Sequence, residues 1–143
     1  MSDHEVVDSP TGWVRKHIDA YVASGGEKGH DYHGRPSLLL TTTGRRSGLR
    51  RRTALIYGLH GESPVVVASN GGAADHPLWF ANLAADPAVE VQVGAEVFTA
   101  TARLATEAER PALWEQMVGI HPEYASYQRK CERLIPVVVL DRA

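Results

Sequence analysis

Ser37-Leu38-Leu39-Leu40-Thr41-Thr42-Thr43 runs straight into Gly44-Arg45-Arg46-Ser47-Gly48-Leu49-Arg50-Arg51-Arg52, and Thr53-Ala54-Leu55-Ile56-Tyr57-Gly58-Leu59 follows. The first segment is short, apolar and rich in β-formers, so Ser37–Thr43 reads as a strand. Gly44–Arg52 reads as a loop turned by its two glycines, and Thr53–Leu59 as a second strand. His60-Gly61-Glu62-Ser63 has the composition of a hairpin turn leading into a third strand, Pro64–Ser69, which Asn70-Gly71-Gly72 breaks.

Working outward, Asp8-Ser9-Pro10-Thr11 reads as a helix start, and Trp13, Val14, His17, Ile18, Tyr21 and Val22 form one apolar stripe that Gly25-Gly26 ends. Glu27–Arg35 is a polar loop. Downstream, His76–Ala85 is a short helix with Pro77 in its first turn. Val89–Val93 and Glu96–Leu104 are strands joined at Gly94-Ala95. Thr106-Glu107-Ala108-Glu109 is a capping start for a helix to about Gly119. Pro122–Arg133 is a further helix and Pro136–Asp141 the last strand. About six strands and four helices, with hairpin-linked strands, predict an antiparallel α+β fold built as a small barrel.

The 143 residues suit one domain, 1–143, with residues 1–35 as an N-terminal helix and loop. Hydrophobic residues make up 43% and charged residues 22%, which excludes a disordered chain. Cys131 is the only cysteine, which excludes an internal disulfide and a cysteine-based metal site. No apolar run approaches the roughly 20 residues of a membrane-spanning helix, and Met1–Asp8 has no signal-peptide character. The expectation is a cytoplasmic protein.

Charge is distributed unevenly. The formal net charge is −2, yet no acidic residue lies between Asp31 and Glu62, where Arg35, Arg45, Arg46, Arg50, Arg51 and Arg52 all fall. A nucleic-acid binder spreads basic charge along a face. A knot of arginine in an otherwise acidic chain points instead to a compact anion, because guanidinium groups grip phosphates and carboxylates bidentately. A solvated basic hairpin is the plain alternative. Ser69-Asn70-Gly71-Gly72 ends a strand with free amides and a hydroxyl at one mouth, though a turn chosen for its glycines is the better reading of these residues alone. Trp79 and Asn82 share a side of the next helix, and His121, Tyr124 and Tyr127 share another helix face, where they could stack on a ligand, supply a proton or simply pack. His30-x-x-His33 is the nearest approach to a metal pair, and no metal is expected.

Leu39-Leu40-Thr41-Thr42-Thr43-Gly44-Arg45-Arg46-Ser47-Gly48, then Val67-Ala68-Ser69-Asn70-Gly71-Gly72, His76-Pro77-Leu78-Trp79-Phe80-Ala81-Asn82-Leu83, Asp86-Pro87 and Ile135-Pro136-Val137-Val138-Val139 together resemble the deazaflavin-dependent nitroreductase and quinone reductase family of actinobacteria. The resemblance spans about Pro36 to Leu140. It implies a split β-barrel of the flavin-reductase kind and coenzyme F-420, a deazaflavin with a phosphodiester and an oligoglutamate tail. It implies that Arg45, Arg46, Ser47 and Arg51 grip those anions, and that Ala54, Val67, Ala68, Ser69 and Asn70 line the ring with Asn82 near it. Trp79, His121, Tyr124 and Tyr127 would line the substrate side. Some members carry Tyr in place of His121, Lys in place of Asn70 and Lys in place of Arg46.

The resemblance also implies hydride transfer from the reduced deazaflavin to a quinone or nitroaromatic acceptor. Ser69, Tyr124 and Tyr127 are the catalytic candidates, as donors to the oxyanion that forms. The alternatives are an oxidoreductase using flavin mononucleotide on the same barrel, and a deazaflavin carrier without catalysis. A monomer or homodimer is expected, with no nucleic-acid partner. The stripe of the first helix would also suit peripheral contact with the inner face of a membrane, but Asp8 and Asp19 favour ordinary packing or a lid.

Overall fold

In the computed structural model, the residues described are 6–8, 12–32 and 34–143. The chain runs β1 (Val6–Asp8), α1 (Gly12–Ser24), β2 (Asp31–Tyr32), β3 (Arg35–Thr43), β4 (Arg50–Ile56), β5 (Gly58–His60), β6 (Ser63–Val67), a 3-10 turn (Asn70–Gly72), α2 (Leu78–Ala85), β7 (Ala88–Val93), β8 (Glu96–Leu104), α3 (Arg110–Ile120), α4 (Glu123–Lys130) and β9 (Val137–Arg142). The strands form one sheet in the order β1-β4-β3-β7-β8-β9-β6-β5, with β2 attached to β3. Every pairing is antiparallel except β1 with β4. The sheet curls into a partly open half-barrel, so that β4 and β6 approach each other across the opening.

Alternation along the strands explains how the sheet is covered. On β6 and β9, Val66, Val138 and Leu140 face the interior with Leu38 and Leu40 of β3, and Leu83, Trp79 and Phe80 of α2 close that core. The intervening Val65, Val67, Val137 and Val139 face outward beneath Leu113, Met117 and Tyr124 of α3 and α4. Leu39 faces outward beneath Ile18 and Tyr21 of α1, with Ala54 beside them. Strands buried on both faces read as continuous apolar runs, which is why Leu38–Leu40 and Val137–Leu140 stand out in the sequence.

Part of the apolar stripe of α1 is spent on this packing: Ile18 and Tyr21 are fully buried and Val14 packs beside them, while Val22 is exposed. The Tyr21 hydroxyl lies 3.0 Å from the Ser37 carbonyl and accepts from the Gly94 amide at 2.7 Å, fastening the helix to β3 and to the β7–β8 turn. Gly26, just past the helix, sits at φ +87°, and a Cβ there would lie 2.2 Å from the Gly94 Cα. Two backbones touch at this seam. No helix among the described residues is long and apolar enough to cross a membrane.

Three boundaries differ from the sequence expectation. The arginine loop is shorter, Gly44–Leu49, because Arg50, Arg51 and Arg52 pair with Thr43, Thr42 and Thr41 inside the β3–β4 ladder. The strand expected over Thr53–Leu59 is two, broken at Tyr57, since β4 belongs to β3 while β5 turns back on β6. Asp8 ends a strand rather than capping a helix, and its carboxylate takes Arg52 at 2.6 and 3.1 Å. The rest of the expected cap, Ser9-Pro10-Thr11, lies outside the described residues, as does His33. The expected capping start before α3 is present: the Glu109 amide donates to Thr106 Oγ1 at 3.1 Å and the Thr106 amide to Glu109 Oε1 at 2.9 Å.

Candidate active site

The turn after β3 and the start of β4 carry five arginines, and the structure divides them. Arg52 pairs with Asp8, and Arg50 lies 3.6 Å from Glu90. Arg45, Arg46 and Arg51 are exposed, and among the described residues none of their guanidinium groups meets a carboxylate. Ser47 is exposed beside them, its hydroxyl accepting from the Leu49 amide at 3.1 Å. The turn itself is closed by the Gly44 amide on the Leu49 carbonyl, 2.7 Å, and the Gly48 amide on the Gly44 carbonyl, 2.8 Å. A rigid turn thus presents three uncompensated cations and a hydroxyl, a donor set that fits a phosphodiester with a polycarboxylate tail.

Asn82 fixes where this hairpin sits. The residue is 6% exposed; its Oδ1 accepts from the Arg45 amide at 3.1 Å and its Nδ2 donates to Thr42 Oγ1 at 3.3 Å. Both ends of the amide are engaged within the protein, so Asn82 is a fastener between α2 and the arginine turn. Trp79, one turn earlier on α2, is half-buried over the interior core.

At the other end of α2 lies the Ser69–Gly72 turn. Ser69 is 9% exposed, and Asn70 is exposed with φ +49° and donates from Nδ2 to the Asp75 carbonyl at 3.1 Å. Arg133 grips this turn from outside the sheet. Its guanidinium donates to the carbonyls of Ser69 at 2.7 Å, Ala73 at 3.0 Å and Ala68 at 3.3 Å, and lies 2.9 Å from His76 Nδ1. Gly72 is packed so closely that a Cβ would stand 3.0 Å from Tyr127 Cα. This contact brings the turn against α4.

On α4 and just before it, His121, Tyr124 and Tyr127 form a ring cluster: centroids are 4.6 Å apart for His121–Tyr124, 6.1 Å for His121–Tyr127 and 6.3 Å for Tyr124–Tyr127. Tyr124 is 6% exposed, and burial pushes its phenol well above the usual range, so it is a neutral donor at working pH. Burial also lowers the His121 pKa. Arg35 Nη1 contacts His121 Nδ1 and, at 3.2 Å, Glu123.

The structure therefore gathers Ser69, Asn70, Tyr127 and Tyr124 at one place, and Arg45, Arg46, Ser47 and Arg51 at another, with α2 running between them. It buries Val67 and Ala68, 4% and 0% exposed, and the Ala68 carbonyl already accepts from Arg133. Ala54 is under α1. Sequence reasoning missed Arg133 and Arg35, whose partners lie about 60 and 86 residues away along the chain. No local signal marks such contacts. Among the described residues no three His, Cys, Asp or Glu side chains cluster as metal ligands.

This architecture has relatives. A family model described as F420H(2)-dependent quinone reductase matches residues 13–142. An F420H(2)-dependent quinone reductase of Mycobacterium tuberculosis strain H37Rv is 40% identical over 134 residues, covering 90% of this chain and 89% of its own. A solved F420-H2-dependent reductase of the FDR-A type superposes with a TM-score of 0.69 at 42% identity, over 75% of this chain and 95% of that one. A second solved chain, described as a domain-swapped dimer, gives a TM-score of 0.72 at 40% identity, over 93% of this chain and 100% of its own. Motif order, sheet topology and near full-length identity agree, and the chain belongs to the F420H(2)-dependent quinone reductase family.

Proposed function

We propose that this chain is an oxidoreductase that uses coenzyme F-420 to reduce a quinone, with nitroaromatic compounds as further acceptors. Family membership supports the reaction, and one observation carries the site: three arginines without carboxylate partners among the described residues, on a hairpin fastened by Asn82 to the helix that bears Trp79. When bound, the reduced deazaflavin supplies a hydride, two electrons at once, so the protein need not manage radicals.

The protein's own work is binding, placement and hydrogen bonding. Arg45, Arg46 and Arg51, with Ser47, hold the phosphodiester and the tail carboxylates. Ala54 and Val67–Asn70 bound the ring side, and Asn82 serves by holding the anion turn in register. Trp79, His121, Tyr124 and Tyr127 wall the acceptor. Ser69, Tyr124 or Tyr127 donates a hydrogen bond to the oxyanion that develops, which requires a neutral hydroxyl and no unusual acidity. Small-molecule sites of this kind combine apolar walls with a few placed donors.

We read the chain as one domain acting in the cytoplasm, as a monomer or homodimer. Peripheral membrane contact through α1 has little to offer it, since the helix spends Ile18 and Tyr21 on the sheet.

The test is a side-by-side titration with oxidised F-420 and flavin mononucleotide at low and high salt, followed by oxidation of reduced F-420 in the presence of a quinone. Tight, salt-sensitive F-420 binding with quinone-dependent turnover is expected. Preferential flavin binding would overturn the cofactor, and F-420 binding without turnover would make the protein a carrier.

A further inference from the structure

Arg35 opens β3, yet its guanidinium reaches across to the ring cluster beside α4. It contacts His121 Nδ1 through Nη1, and the same nitrogen lies 3.3 and 3.2 Å from the two Glu123 carboxylate oxygens. A guanidinium has five donors and no acceptor, so the ring nitrogen it touches must be the accepting one. A neutral imidazole whose Nδ1 accepts carries its proton on Nε2. The His121 side chain is 14% exposed, and its charged surroundings are Arg35 from β3 and Glu123 from α4, with the phenols of Tyr124 and Tyr127 as ring neighbours. Burial and the Arg35 cation both oppose protonation, and Glu123 only partly offsets them. Among the described residues Nε2 has no protein partner, and no buried polar side-chain atom there is left unpaired, so Nε2 opens to solvent.

We propose that Arg35 is a positioning residue for quinone reduction: by donating to Nδ1 it holds His121 with its proton on Nε2, and that Nε2–H is the hydrogen-bond donor offered to the acceptor's carbonyl oxygen. The inference rests on the quinone-reductase reading above and adds a donor to it. His121 lies beside Tyr124, whose neutral hydroxyl also has no protein partner among the described residues, so two donors stand side by side where an oxyanion would form. Arg35 works at one remove, by setting the ring's tautomer and its orientation. Glu123 in turn steadies Arg35.

Long-range proton–nitrogen NMR on the cofactor-free protein reads the tautomer directly. The expected result is a single neutral form with Nδ1 unprotonated, persisting to a pH below the ordinary imidazole range. Arg35→Leu is expected to give a mixture of tautomers and to move the His121 titration upward, while Arg35→Lys, which keeps a donor, restores the single form. In turnover, Arg35→Leu should lower kcat about fivefold, of the order of one lost hydrogen bond, with F-420 affinity within about twofold. A proton on Nδ1 in the wild type, unchanged kcat in Arg35→Leu, or a lysine that restores nothing would each overturn the proposal. The wild-type spectrum decides even if Arg35→Leu does not fold. Absence of any quinone turnover in the wild type, with the tautomer as stated, would instead overturn the quinone-reductase reading and leave the hold of Arg35 on His121 standing.

Discussion

Where β8 and β9 run side by side, Arg103 donates to Asp141 at 2.6 Å and to Glu109 at 2.7 Å, and Arg142 donates to Glu96 at 2.8 Å while lying 3.8 Å over the Phe98 ring. On the β3–β4 hairpin, Arg45, Arg46 and Arg51 meet no carboxylate among the described residues. The side chain is the same and the arrangement opposite. At the first region carboxylates from Glu109, just before α3, and Asp141 of β9 converge on Arg103, so its charge is consumed by the fold and steadies the start of α3. At the second, each neighbour that has a carboxylate within reach is Arg50 or Arg52, and the remaining three face outward. Clustered like charges repel, so a fold leaves them together where something else supplies the counter-charge.

The largest effect is expected where that counter-charge is a ligand. Replacing Arg45, Arg46 and Arg51 together with alanine should weaken F-420 binding by at least about 100-fold, since hydrogen bonds to charged groups contribute about 1.5–3 kcal/mol each, and should flatten its salt dependence. Thermal stability should stay within a degree or two, because among the described residues no carboxylate partner is lost. A large fall in melting temperature would show that the hairpin arginines are structural after all.

Next comes Tyr124→Phe, which removes the hydroxyl and keeps the packing. A fall of about tenfold in kcat with unchanged F-420 affinity is expected, measured by steady-state oxidation of the reduced cofactor. Equal activity would take Tyr124 out of the donor set and leave Ser69, Tyr127 and His121.

A smaller effect sharpens the contrast from the other side. Glu109→Gln weakens both the bond its side chain accepts from the Thr106 amide and the Arg103 bridge, so the melting temperature should drop by a few degrees with F-420 affinity unaltered. The pH dependence has a definite sign. Arg103 and the Thr106 amide hold the Glu109 carboxyl down at about 2, below its unfolded value near 4.5. A depressed carboxylate contributes stability that is complete above the unfolded value and lost as pH falls toward the folded one. Denaturant unfolding between pH 5 and pH 3 should therefore steepen the loss in the wild type more than in Glu109→Gln. Parallel curves would remove Glu109 from the linkage.

Much of this contrast is visible in the sequence, and part of it is not. The hairpin glycines, the arginine knot, the Thr106–Glu109 cap and the Ser69–Gly72 break are local patterns, with every partner within a few residues, so reading along the chain finds them. The strand Val6–Asp8 is too short to show a period, and only its parallel pairing with β4 makes it a strand. The break at Tyr57 has only Gly58 to mark it, and the sheet decides that the two halves serve different neighbours. Within the hairpin, nothing local separates Arg50 and Arg52 from Arg45, Arg46 and Arg51; the distinction is drawn by Asp8 and Glu90, brought in by other strands. Arg133 and Arg35 shape the site from still farther along the chain.

The seam between α1 and the β7–β8 turn has a consequence for how this fold tolerates change. The contact is one-sided: a Cβ on Gly26 would collide with the Gly94 backbone, whereas a Cβ on Gly94, at φ +61°, would meet nothing within 4 Å. Space closes position 26 and backbone conformation alone constrains position 94. A saturation library should return glycine only at 26, but glycine together with asparagine and aspartate at 94, the residues that enter the left-handed region at least cost.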